Sequence, residues 1–125
     1  MERGQQDGLL WVAVDHRDHP VGFALACEVG GNAHLDELDV DPRHGRQGLG
    51  RALVETVCEW ASRAGYAAIT LTTLSHIPWN APFYEKLGFQ ILEPEALTPH
   101  LRELLQTETA HGLPAENRVA MRKWL

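Results

Sequence analysis

The sequence predicts a mixed α/β fold, and three observations carry that expectation. Three runs of strand length, divided by turn residues, fill the first 40 positions. One long amphipathic pattern starts at Leu49. A β-branched run over 67–74 follows directly, so strand, helix and strand stand in the order that a parallel crossover requires.

Leu9–Val14 (LLWVAV) is an apolar run of strand length, and the charged, proline-ended DHRDHP at 15–20 makes the turn after it. Val21–Val29 (VGFALACEV) returns as the second strand of a hairpin, with Gly30-Gly31-Asn32 as the next turn. Ala33–Val40 (AHLDELDV) is the third strand, with Leu35, Leu38 and Val40 as its apolar members. Its alternation breaks near Leu38, as a bulge would break it. Asp41-Pro42 stops that strand. Past the glycine-rich GRQGLG of 45–50, Leu49, Leu53, Val57, Trp60 and Ala61 share one helical face, while Arg51, Glu55, Glu59 and Arg63 share the other. Gly65 is placed as the C-cap.

Ala67–Leu74 (AAITLTTL) suits a central strand. The loop SHIPWN leads to a short helix over Ala81–Leu87, closed by Gly88, and Phe89–Leu92 makes a further strand. Thr98 is placed to N-cap a helix through Ala110 with Leu101, Leu104 and Leu105 as its apolar stripe. Arg118–Leu125 is the last strand. The order is β-β-β-α-β-α-β-α-β, an antiparallel meander feeding a parallel crossover. Residues 1–125 show no repeat, low-complexity tract or linker, so a single domain is expected.

Composition narrows the function classes. Apolar residues at 44% and charged residues at 22% are a globular balance that argues against disorder. No apolar run approaches the roughly 20 residues of a membrane span, and the polar MERGQQDG start lacks a secretory core, so a cytoplasmic protein is expected. Cys27 and Cys58 each sit in an apolar stretch and read as buried thiols, with no base nearby to suggest an acyl-cysteine. A net charge of −6 opposes binding to polyanions, so no nucleic-acid partner is expected. That charge is uneven: Asp36, Glu37, Asp39 and Asp41 cluster without a base, and Arg43, Arg46 and Arg51 follow without an acid. Such a pair suits a site that holds a cation beside an anion, although chance clustering on a solvated face explains it equally well. His16 and His19, in a polar turn without further ligands, are assigned no metal.

The sharpest local feature is strand, turn, GRQGLG, helix. Glycines at 45, 48 and 50 let the backbone approach a ligand, and the helix start offers unpaired N–H groups and about half a positive charge. Together they make a phosphate or pyrophosphate site. The spacing fits neither a P-loop nor a full G-x-G-x-x-G fingerprint.

The segment LDELDVDPRHGRQGLGRALVETVCEWA, followed by NAPFYEKLGF, resembles the GCN5-related N-acetyltransferase (GNAT) family across about residues 35–92. That family joins a strand ending in an apolar-x-Val pair to a Q/R-x-x-G-x-G/A loop and a long helix, then to a later helix carrying Asn and Tyr before Gly-Phe. The resemblance implies a GNAT-like fold with acetyl-CoA as cosubstrate. Two departures stand out. Gly45 occupies the motif's first position, with Arg46 and Gln47 after it, and only about eight residues precede the first strand run, where the family has a strand and two helices.

By resemblance, the backbone of Leu38 and Val40 would hydrogen-bond the pantetheine arm. The loop Gly45, Arg46, Gln47, Gly48, Leu49, Gly50 and Arg51 would hold the pyrophosphate, with Arg43, Arg46 or Arg51 near its charge. Asn80 would bond the amide arm, although Asn before a helix is also a routine N-cap. Lys86 is placed for the 3′-phosphate. Tyr84 would protonate the departing thiolate, a task within reach of a phenol held at hydrogen-bond distance.

Attack by an amine also needs a base, because an ammonium has no lone pair. A carboxylate acting through water, its pKa raised by burial, can serve. Glu37 and then Asp36 are the candidates, being similar in placement to the acidic pair of polyamine-type members. His34 is an alternative if it shares the Asp36 face with no bulge between them.

The expected activity is direct acetyl transfer to a primary amine: a small amine, a polyamine-like compound or a peptide amine. A non-catalytic acyl-CoA-binding or regulatory module, and transfer of another acyl group, are the rival readings. The segment 98–125 and the missing N-terminal elements leave surface that needs cover, which suggests a homodimer.

Overall fold

The computed structural model describes residues 8–44, 48–74, 80–110 and 118–125. Strands β1 (Leu9–Val14), β2 (Pro20–Val29) and β3 (Asn32–Val40) form the antiparallel meander. Helix α1 (Leu49–Arg63), β4 (Ala68–Leu74), α2 (Ala81–Lys86), β5 (Gln90–Ile91), α3 (Pro99–Ala110) and β6 (Arg118–Trp124) follow. The expected alternation of elements is met in order, with short 3₁₀ turns at Pro42–His44 and Pro94–Ala96.

Local chemistry accounts for the boundaries. In the first hairpin the Asp15 carboxylate accepts hydrogen bonds from the backbone amides of Arg17 (2.8 Å) and His19 (3.0 Å), which folds the polar turn back on itself. Gly30 and Gly31 both have positive φ (61° and 84°), the pair of conformations a tight two-residue hairpin needs. Helix α1 ends as the sequence predicts: the amides of Gly65 and Tyr66 donate to the carbonyls of Ser62 and Ala61, closing a Schellman cap. Thr98 Oγ1 accepts from the amide of Leu101 at 3.2 Å and so caps α3.

The six strands lie in the order β1-β2-β3-β4-β6-β5. All pairings are antiparallel except β3–β4, which is parallel and registers only Ala33↔Ile69 and His34↔Thr70. The expected strand over Phe89–Leu92 shrinks to two residues, because Phe89 turns into the core (2% exposed) instead of joining the ladder.

Helix α1 covers one face of the sheet. It buries Leu53, Val54, Val57, Cys58 and Ala61 against Ala24, Ala26, Ala33, Leu35, Ile69, Leu71 and Met121. The buried stripe is centred one residue further on than the sequence suggests. Val54 and Cys58 join it, and Trp60 sits at the margin, with its ring 5.5 Å from Trp11 and 5.7 Å from Tyr66. Cys27, expected to be buried, is only half-buried on the face away from α1. On that second face α3 meets β4 and β6, where Glu108 accepts from Thr72 Oγ1 (3.0 Å) and pairs with Arg118 (2.9 Å). Leu10, Val12 and Val14 of β1 remain exposed there. No helix among the described residues is long and apolar enough to cross a membrane.

Candidate active site

The site grows from a break in β3. Leu25 pairs with Glu37 and Ala26 with Leu35, so Asp36 is an extra residue, a bulge two positions before Leu38. Upstream of it β3 pairs with β4; downstream the two strands part. Leu38 and Val40 are still tied to β2, opposite Ala24 and Gly22. Their other backbone edge has no partner strand among the described residues, which makes it a template for an extended ligand.

The N-terminus of α1 opens onto the same gap. Gly48, at φ 77° and ψ 11°, is its N-cap, with no side-chain cap and no acid in the first turn. A Cβ at Gly48 would meet nothing within 4 Å, so the amides at this helix end are approachable. The helix dipole and these unpaired donors favour an anion. Arg51 projects from the first turn and pairs with Glu55 at 3.0 Å.

Across the gap, α2 supplies Asn80, Phe83 and Tyr84. The Asn80 side chain makes no cap hydrogen bond, so its amide is not spent on the helix. Tyr84 is 8% exposed, with its ring edge-on to Phe83 (5.1 Å) and Phe89 (5.7 Å). Burial pushes its phenol up to about 12, so it stays protonated at neutral pH. Together these groups enclose a cavity of about 620 Å³.

Of the residues singled out from sequence, Leu38, Val40, Gly48, Gly50, Arg51, Asn80 and Tyr84 line that one cavity. Leu49 lies next to it, half-buried. Gly45, Arg46 and Gln47 fall outside the described residues. Arg43 is held by Asp41, which accepts from its Nη2 at 2.9 Å and from its backbone amide at 2.9 Å; the turn after β3 thus ties up a side chain considered for phosphate. Lys86 is exposed in the last turn of α2 and does not line the cavity.

The base candidates Asp36 and Glu37 are exposed and lie outside the cavity. The bulge at Asp36 does intervene beyond His34, which is 2% exposed with Nδ1 2.8 Å from Thr70 Oγ1. Burial holds its imidazole below the ordinary value of 6.5, against the opposing pull of Asp36 and Glu108. Three lining residues, Asp39, Pro42 and Phe83, were given no site role from sequence. Asp39 stood in the acidic cluster, and Phe83 stands beside Tyr84 in NAPFYEKLGF.

The family model described as acetyltransferase (GNAT) family matches residues 2–89. The peptidyl-lysine N-acetyltransferase YjaB of Escherichia coli K12 is 37% identical over 82 residues, 66% of this chain and 50% of that protein. The chain spans about half the length of the curated relatives it matches. A GNAT-family acetyltransferase from Staphylococcus aureus Mu50 superimposes with a TM-score of 0.75 at 17% identity, over 99% of this chain and 73% of that one. The PaiA N-acetyltransferase of Thermoplasma acidophilum, in complex with coenzyme A, gives 0.69 at 17% identity over 99% and 66%. At these identities the structural likeness establishes the fold.

Proposed function

The chain belongs to the acetyltransferase (GNAT) family, and from that premise we propose that it moves an acetyl group from acetyl-CoA directly to a primary amine. One observation carries this: a single cavity joins the uncapped start of α1, the unpaired edge of β3 after its bulge, and the buried phenol of Tyr84. The amides from Gly48 onward would hold the pyrophosphate, with Gly45, Arg46 and Gln47 completing the loop. Leu38 and Val40 would bond the pantetheine arm through backbone groups, as an added strand bonds a sheet edge. The Asn80 amide would meet the arm from the other side.

In the reaction, the neutral amine attacks the thioester carbonyl, the C–N bond forms and the C–S bond breaks. A backbone N–H near Leu38 would stabilise the oxyanion. The nitrogen loses a proton to water, which the exposed carboxylates Glu37 and Asp36 can relay. Tyr84 donates a proton to the departing sulfur and is reprotonated from solvent. The balance is amine plus thioester going to amide plus thiol, both partners being bound together. The relative named for peptidyl-lysine acetylation makes a protein amine one candidate acceptor beside small amines.

The test is isothermal titration with acetyl-CoA, using the wild type and Gly48→Glu. A Kd on the order of micromolar is expected for the wild type. The variant, which places a carboxylate where the helix start favours an anion, is expected to bind at least about a hundredfold more weakly. Absence of binding at millimolar acetyl-CoA would overturn the proposal. Binding without acetylation of any amine would instead make the chain an acyl-CoA-binding module.

A further inference from the structure

The second face of the sheet carries a pattern that the cofactor cavity does not use. Strand registers set two rungs across β1, β2 and β3: Leu10 opposite Leu25 opposite Glu37, and Val12 opposite Phe23 opposite Asp39. Residues directly opposite one another share a face of the sheet. Each rung is therefore apolar on β1 and β2 and ends in a carboxylate on β3. Leu10 and Val12 are 61% and 49% exposed. Along the second rung runs an open groove of about 580 Å³, lined by Leu10, Val12, Phe23 and Asp39 among others. It shares Asp39, Val40 and Pro42 with the cavity that holds Tyr84, so the two spaces border the same end of β3. Asp41 is occupied by Arg43, whereas Asp39 enters no ion pair among the described residues.

Resting on the acetyl-transfer reading, we propose that this groove is the acceptor subsite and that its occupant is a small primary amine carried on one apolar body, an alkyl- or arylalkylamine. Asp39 meets the ammonium at the end of β3 that both spaces border, and Phe23 and Val12 receive the apolar body. Bound in this way, the nitrogen sits at the edge of the thioester cavity and releases its proton to water before attack. A second cation on the body would lie over Phe23 and Val12, losing hydration with no acid on either strand of the rung to replace it. The groove thus selects against polyamines and aminoglycosides, although the acidic character of β3 by itself would favour them.

The test compares n-hexylamine with cadaverine, which has the same number of heavy atoms but an ammonium in place of the terminal methyl. With saturating acetyl-CoA, kcat/KM is expected to favour n-hexylamine by at least about tenfold, the scale of apolar-pocket discrimination. Val12→Lys, at a half-exposed position that tolerates the change, is expected to erase that preference, and Val12→Gln to weaken it. Equal or better use of cadaverine, or an unchanged ratio in Val12→Lys, overturns the proposal. If acetyl-CoA binds but no amine turns over, titration of n-hexylamine into the acetyl-CoA complex decides: saturable binding lost in Val12→Lys supports the groove, and its absence overturns it. If acetyl-CoA itself does not bind, the family-based reading fails separately, and the same titration of the protein alone decides the groove.

Discussion

On the face of β1–β3 that meets α1, Ala24, Ala26 and Leu35 are 0%, 0% and 4% exposed, whereas on the opposite face Leu10 and Val12 are 61% and 49% exposed. The covered residues named here lie on β2 and β3 and the open ones on β1, whose largest side chain, Trp11, turns toward α1. What differs is the covering element: α1 approaches closely over small alanines, while α3 reaches β4 and β6 but leaves β1 open. Side-chain hydrophobicity set which residues could be buried, and the placement of helices set which were. The covered face closes one wall of the cavity proposed for the cofactor, and the open face carries the proposed acceptor groove.

This contrast can be broken or sharpened by substitution. The largest effect is expected at Tyr84, on the covered side. Tyr84→Phe keeps the ring packing and removes the proton, so kcat should fall about a hundredfold or more while the melting temperature barely moves. Steady-state acetylation with product mass spectrometry measures this, and an unchanged kcat removes Tyr84 from the chemistry. Next come paired substitutions on the two faces. Ala26→Leu overpacks a closed core and should cost about 1–3 kcal/mol in denaturant unfolding. Val12→Leu, on the open face, should stay within about 0.5 kcal/mol. Similar losses at both positions would mean that the second face is covered in solution.

The smallest effect concerns His34, on the second face but sealed beside Thr70. Its folded pKa is depressed below 6.5 by burial, with Asp36 and Glu108 opposing and Cys27 as its cross-strand neighbour. The unfolded chain therefore takes up a proton that the folded one refuses. Stability from this group is complete above about 6.5 and declines as the pH falls below it, with a slope no steeper than about 1.4 kcal/mol per pH unit. His34→Gln should flatten that acid limb in melting curves. An unchanged limb would assign the acid sensitivity to other groups.

Much of the fold was legible because it is encoded locally. The apolar run LLWVAV, the Gly30-Gly31 turn, Thr98 as a cap and Gly65 past the end of α1 each act through neighbours a few residues away. The lining of the cavity was legible for the same reason: Gly48, Gly50, Arg51, Asn80 and Tyr84, singled out from sequence, lie in two short segments and line one cavity. The burial of the base candidates was not legible in this way. Whether Asp36, Glu37 or His34 is buried depends on where the bulge falls and on what lies opposite, and those depend on pairing with β2 and β4. The capture of Arg43 by Asp41 was missed because a basic residue beside a phosphate loop and one paired two positions back look alike in sequence.

The sequence by itself determined the succession of strands and helices, the amphipathic character of α1 and the glycine at its start, because propensity, periodicity and capping act over a few residues. Only the tertiary structure decided that β3 leaves β4 after His34, that β6 inserts between β4 and β5, and that Val12, Phe23 and Asp39 align in one rung. Those outcomes depend on strand register, and register is set by contacts between segments far apart in the chain, where a shift of one residue would move every side chain to the other face.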